Sequence, residues 1–99
     1  MNYYNTKYYS NTKYCVIKNI HDLFVNNNYS FKYEKIKKDD FEYQYILFYY
    51  NNINELYKIR IINDIYFVSI PLKKCNYYYT TKFDNIYKVY DYIKLHLFN

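Results

Sequence analysis

No glycine occurs anywhere in the 99 residues, and there is a single proline. Glycine enters left-handed backbone at no steric cost, so in its absence the tight turns fall to asparagine and aspartate, the next most tolerant residues. Asn26-Asn27-Asn28, Asp39-Asp40, Asn51-Asn52 and Asn63-Asp64 are therefore the loop markers, and they divide the chain into short segments. Asn, Tyr, Lys, Ile and Phe dominate the remainder, all of them encoded by A- and T-rich codons. Base-composition bias in the parent genome accounts for that, so the positions of Tyr and Lys carry more meaning than their numbers.

The length suits one domain with one core. With 52% hydrophobic residues the chain has the apolar surface to offset its conformational entropy, which excludes a disordered protein. Cys15 and Cys75 lie far apart, and reduced thiols in an intracellular compartment are expected. Met1 to Lys13 has no apolar centre and is not expected to be a signal peptide; no run approaches the roughly 18 apolar residues of a membrane span. The net charge of +5 points to acidic partners: phosphate, nucleic acid or anionic lipid.

Residues 1–13 have no aliphatic periodicity and read as an extended or frayed leader, with the single domain over 14–99. Val16, Ile20, Leu23 and Phe24 recur at helical spacing, predicting a helix over 16–25 that the asparagine run ends. Tyr29, Phe31 and Tyr33 then alternate with Ser30, Lys32 and Glu34, the period of a strand. Lys35 to Asp40 reads as a polar loop. Phe41 to Tyr50 is a strand buried on both faces near Ile46-Leu47-Phe48. Leu56 to Ile62 is a third strand, and Asn63-Asp64 a hairpin turn into a fourth, Ile65 to Ser69, with Pro71 ending the pairing. Tyr77 to Lys82 is a short edge strand. Asp84 or Asn85 caps a last helix whose apolar stripe is Ile86, Val89, Tyr90, Ile93 and Leu97. The order predicts an α+β domain, a central antiparallel sheet flanked by one helix on each face.

Catalytic signatures are missing. No glycine-rich phosphate loop, paired cysteines or HExxH helix occurs. His21 and His96 fall in different helices and read as surface or helix-end histidines. Cys15 and His21, six residues apart on a helix, face different ways, and Asp39-Asp40 reads as a turn. We expect a binding module, with no cofactor and no metal.

Leu56-Tyr57-Lys58-Ile59-Arg60, then Tyr66-Phe67-Val68-Ser69, then Phe83, Ile86, Val89 and Tyr92 at their given spacing resemble the Src homology 2 family of phosphotyrosine-peptide readers. The resemblance covers about half the chain well. It implies a stand-alone adaptor or competitor that binds tyrosine-phosphorylated protein in the cytoplasm, including a host's cytoplasm if the source is a virus or parasite. Carried onto this sequence, it sets Lys32 where the family's phosphate-forking arginine stands, within Tyr29-Ser30-Phe31-Lys32-Tyr33-Glu34. It also assigns Lys18 near a second phosphate contact, Lys35 and Lys37 to the phosphate loop, and Lys58 to the phosphotyrosine. Leu56, Tyr57, Arg60, Tyr77 and Tyr79 would line the peptide groove. Lysine is a point charge without the guanidinium's bidentate fork, so this departure implies weaker binding. Two other classes compete with the resemblance. Basic residues interleaved with aromatics on an open sheet suit single-stranded nucleic acid, and an aromatic surface suits a structural, self-associating module.

Overall fold

The computed structural model describes residues 2–37, 39, 42–52, 55–72 and 77–98, with side chains from Lys13 onward. Helix α1 spans Asn2–Asn26; strands β1 (Ser30–Lys37), β2 (Tyr43–Tyr50), β3 (Leu56–Ile62), β4 (Ile65–Pro71) and β5 (Tyr78–Phe83) follow, and helix α2 spans Ile86–Leu97. The strands form one antiparallel sheet in chain order, each pairing with the next.

Asparagine and aspartate do take the positions where glycine would stand. Asn28, Asn63 and Asp64 have positive φ, at 68°, 49° and 62°. Behind α1, the amide of Tyr29 donates to the carbonyl of Phe24 (3.0 Å) and that of Asn28 to Val25 (3.0 Å). This is the double closure usually completed by a glycine in left-handed conformation, here completed by Asn28. Asn63 and Asp64 make the two-residue β3–β4 turn. At the far end Asn85 caps α2, its side chain accepting from the amide of Tyr87 at 2.7 Å.

Several expectations need correcting. The first helix is far longer than 16–25, because residues 2–15 contain no proline or glycine to stop it and continue from the packed half. The extended leader is thus helical. The polar stretch after Glu34 is not a loop: Lys35, Ile36 and Lys37 pair in register with Tyr45, Gln44 and Tyr43. Lys35 can sit in a strand because its ammonium lies 4.2 Å from the centroid of the Tyr43 ring. Pro71 still pairs, opposite Tyr78, since β3 offers no partner there and the missing amide costs nothing. Asp40, Phe41 and Cys75 lie outside the described residues.

The helices do not flank the sheet. α1 and α2 contact each other. Their buried residues Val16, Ile20, Phe24, Ile86, Val89 and Ile93 join Tyr49, Tyr57, Ile59, Ile61, Tyr66 and Val68 in one cluster. The register puts those sheet residues on a single face. Two amphipathic stripes side by side over one apolar sheet face bury each other as well as the sheet. Among the described residues the other face carries no helix.

Candidate functional site

That helix-free face can be read directly from the register. One row across the strands is Lys32, Phe48, Lys58, Ser69, Thr80; the next is Glu34, Ile46, Arg60, Phe67, Lys82. Neighbouring strands stand about 4.8 Å apart, so each row crosses the five strands in about 19 Å. Each row holds one run of cation, ring and cation: Lys32, Phe48, Lys58 in the first and Arg60, Phe67, Lys82 in the second.

Packing holds several of these groups in place. Ile46 is buried on this open side, between its register partners Glu34 and Arg60. The Arg60 guanidinium lies 4.9 Å from the centroid of Phe67, and its buried Nε has no hydrogen-bond partner among the described residues. Ser69 and Thr80 hydroxyls share a 2.8 Å hydrogen bond that locks β4 to β5. Lys32 lies 6.0 Å from the Phe48 centroid and, with Phe48, Tyr50 and Leu56, lines a shallow depression of about 210 Å³. Glu34 pairs with Lys32 at 3.0 Å and is the one acid at the paired positions of this face. Lys58, Arg60 and Lys82 have no ion-pair partner among the described residues.

The residues singled out by the family resemblance separate onto different surfaces. Lys32 and Lys58 share the open face, with Phe48 between them. Lys35 and Lys37 project to the helix side of β1, and Lys18 is exposed on α1, which covers that same side. The five lysines therefore do not form one anion pocket. Among the groove residues, Leu56 and Arg60 lie on the open face, while Tyr57 is part of the core. Its hydroxyl donates to Glu55 Oε2 at 3.0 Å, and the hydroxyl of Tyr29 donates to the same oxygen at 3.3 Å. Tyr77 and Tyr79 are exposed, Tyr79 at a helix-side position of β5. Phe67 and Lys82 were missed. Their signal was present, since both lie in phase with Lys58 once the hairpin register is known.

A larger cleft of about 540 Å³ opens on the helix side, between α1 and the sheet, lined by Tyr14, Ile17, Tyr33, Tyr43, Tyr45 and Leu47 among others. Its charged lining residues, Lys13 and Asp64, pair with each other, and Lys35, outside the lining, sits over Tyr43 and Tyr45. The core tyrosines Tyr49 and Tyr57 hold their protons more tightly than an exposed phenol. Burial pushes the hydroxyl pKa of Tyr49 upward, and burial, helped by the hydrogen bonds with Tyr29 and Glu55, does the same to Tyr57. His21 is not a free surface histidine: its Nδ1 shares a 3.0 Å hydrogen bond with the Tyr49 hydroxyl, and its ring meets Phe31 edge-on at 4.5 Å. Cys15 is an exposed free thiol, and among the described residues no group of acidic, histidine or cysteine side chains could hold a metal. Among the described residues no helix is long and apolar enough to cross a membrane.

Comparison with known proteins yields no matching family model, curated protein or solved structure. Nothing in it identifies a Src homology 2 domain.

Proposed function

We propose that the helix-free face binds single-stranded nucleic acid, with Lys32, Lys58, Arg60 and Lys82 neutralising phosphates and Phe48 and Phe67 contributing ring surface to unstacked bases. The observation that carries this reading is the distribution of charge: cations spread across the whole width of an open sheet, opposed by one acid at its paired positions. A spread strip suits an extended polyanion, whereas a single phosphate group needs its donors converged on one point. Aromatic faces accept any base, so the reading carries no sequence preference. Neither chemistry nor a cofactor is required.

The test is fluorescence anisotropy of a labelled oligothymidylate of about 12 nucleotides, a length within the range one small domain covers. Titration runs at about 50 and about 200 mM salt, where phosphate-driven binding weakens steeply. Binding that weakens with salt and is lost in the Lys58→Ala, Lys82→Ala double variant supports the proposal; binding indifferent to both removes it. A second reading rests on Lys32 and Lys58 straddling Phe48, two of the cations that the Src homology 2 resemblance selects. Preference for a phosphotyrosine peptide over its unphosphorylated form and over the oligonucleotide would decide for that reading.

A further inference from the structure

The sheet has two outer edges, β1 and β5. β1 is eight residues long and pairs with β2 without a bulge or proline from Ser30 to Lys37. Its residues are exposed on both faces apart from the half-buried Glu34, with Phe31 at 55% and Tyr33 at 54% on the helix side. An unbroken strand edge of this kind presents unpaired amides and carbonyls, a template for another strand. What such an edge accepts is decided by the side chains that face each other across the new ladder.

We propose that β1 pairs antiparallel with β1 of a second copy of this chain, about a two-fold axis through Tyr33, joining the two sheets into one of ten strands. The charge order along β1 selects this register. Two identical antiparallel strands can only set residues of the same parity opposite each other. Centring on Lys32 or on Lys35 faces a lysine with itself, and centring on Glu34 faces the glutamate with itself. Centring on Ile36 faces Lys35 with Lys37. Centring on Tyr33 sets Lys32 opposite the second copy's Glu34, and Glu34 opposite its Lys32. It is the one alignment within Ser30–Lys37 that brings Glu34 against a lysine. The intrachain pair of Lys32 with Glu34 at 3.0 Å then becomes half of a ring of four alternating charges. On the helix side the same register sets Phe31 opposite Lys35, an arrangement in which the ammonium can reach a ring. β5 offers no such pairing, because Tyr78–Phe83 carries Lys82 and no acid.

A two-fold axis normal to the sheet keeps each face on its own side. Both helix pairs then lie on one side of the ten strands, and both basic rows on the other. The pairing stands independently of the nucleic-acid proposal, and it would extend that face across the axis.

Sedimentation equilibrium of the whole chain over a range of concentrations tests it, with far-UV circular dichroism of every variant to establish folding. The expected result is a monomer–dimer equilibrium. Glu34→Lys or Lys32→Glu alone turns both cross-axis attractions into repulsions and weakens the dimer by roughly tenfold or more. The double variant Lys32→Glu, Glu34→Lys exchanges the charges and returns the affinity to within about threefold of the parent. A parent that stays monomeric, single variants that dimerise as well as the parent, or a double variant that fails to recover would each overturn the proposal. Amide hydrogen exchange of the parent supplies a readout free of substitutions. Protection over Ser30–Lys37 should rise with protein concentration, and concentration-independent exchange there would overturn the register.

Discussion

Phe24 of α1 lies flat against Tyr49 of β2, with ring centroids 4.1 Å apart and planes 5° from parallel. Both side chains are fully buried, and the Tyr49 hydroxyl still reaches His21 one helical turn back. This stack holds the last turns of α1 to the sheet, while Tyr29, Tyr57 and Phe98 approach Phe24 at steeper angles around it. Phe24→Ala should cost about 3–5 kcal/mol, the range for removing a buried phenyl ring. Tyr49→Phe keeps the stack and loses one hydrogen bond, so it should cost only about 1 kcal/mol. Urea unfolding of the two variants measures the contrast.

The buried tyrosines predict an alkaline limit to stability. Tyr49 and Tyr57 hold their protons more tightly in the folded state, chiefly because burial disfavours the phenolate. In the unfolded chain both ionise near pH 10. Below that pH both states are protonated and stability is unaffected. Above it the unfolded state releases protons that the folded state keeps, so stability falls as pH rises. The urea midpoint should stay level from about pH 8 to about pH 9 and drop beyond about pH 10. In Tyr57→Phe that drop should be shallower.

Asn63 and Asp64 occupy left-handed backbone in the β3–β4 turn. Asn63→Gly should leave stability within about 0.5 kcal/mol of the parent or raise it, since glycine enters that region freely. Asn63→Val should cost about 1–2 kcal/mol, because a branched Cβ collides with the following carbonyl there. Thermal unfolding distinguishes these outcomes.

If the open face carries an oligonucleotide, its cations should appear one by one in the salt dependence. Each lysine that neutralises a phosphate contributes about 0.7 to the slope of log K against log salt for a single strand. Lys58→Ala and Lys82→Ala should each lower the slope by that amount without altering the unfolding midpoint. Lys18→Ala, on the helix-covered side, should leave the slope unchanged.

Most of the elements are legible in the sequence. The alternation of Tyr57, Ile59 and Ile61 with Lys58 and Arg60 marked a two-faced strand, and Ile86, Val89 and Ile93 marked the buried stripe of α2. The asparagines and aspartates marked the turns because they tolerate left-handed backbone best in a glycine-free chain. β1 was half legible: past Glu34 the lysines hid a strand, since the rings that shield Lys35 come from β2 and cannot be inferred locally. The site was less legible still. Lys35, Lys37 and Lys58 look alike in the sequence, and only strand register shows that the first two face the helices.

The sequence by itself determined which residues share a face, because helical and strand periodicity are local properties of the backbone. Which face of the sheet the helices cover was decided only in the tertiary structure. Ile46, Phe48 and Phe67 make the open side nearly as apolar in pattern as the covered one, so periodicity could not choose between them. The choice fell to long-range packing: Phe24 on Tyr49, and α1 against α2, bury two helical stripes and one sheet face in a single core, leaving the face that carries Lys32, Lys58, Arg60 and Lys82 uncovered by the helices.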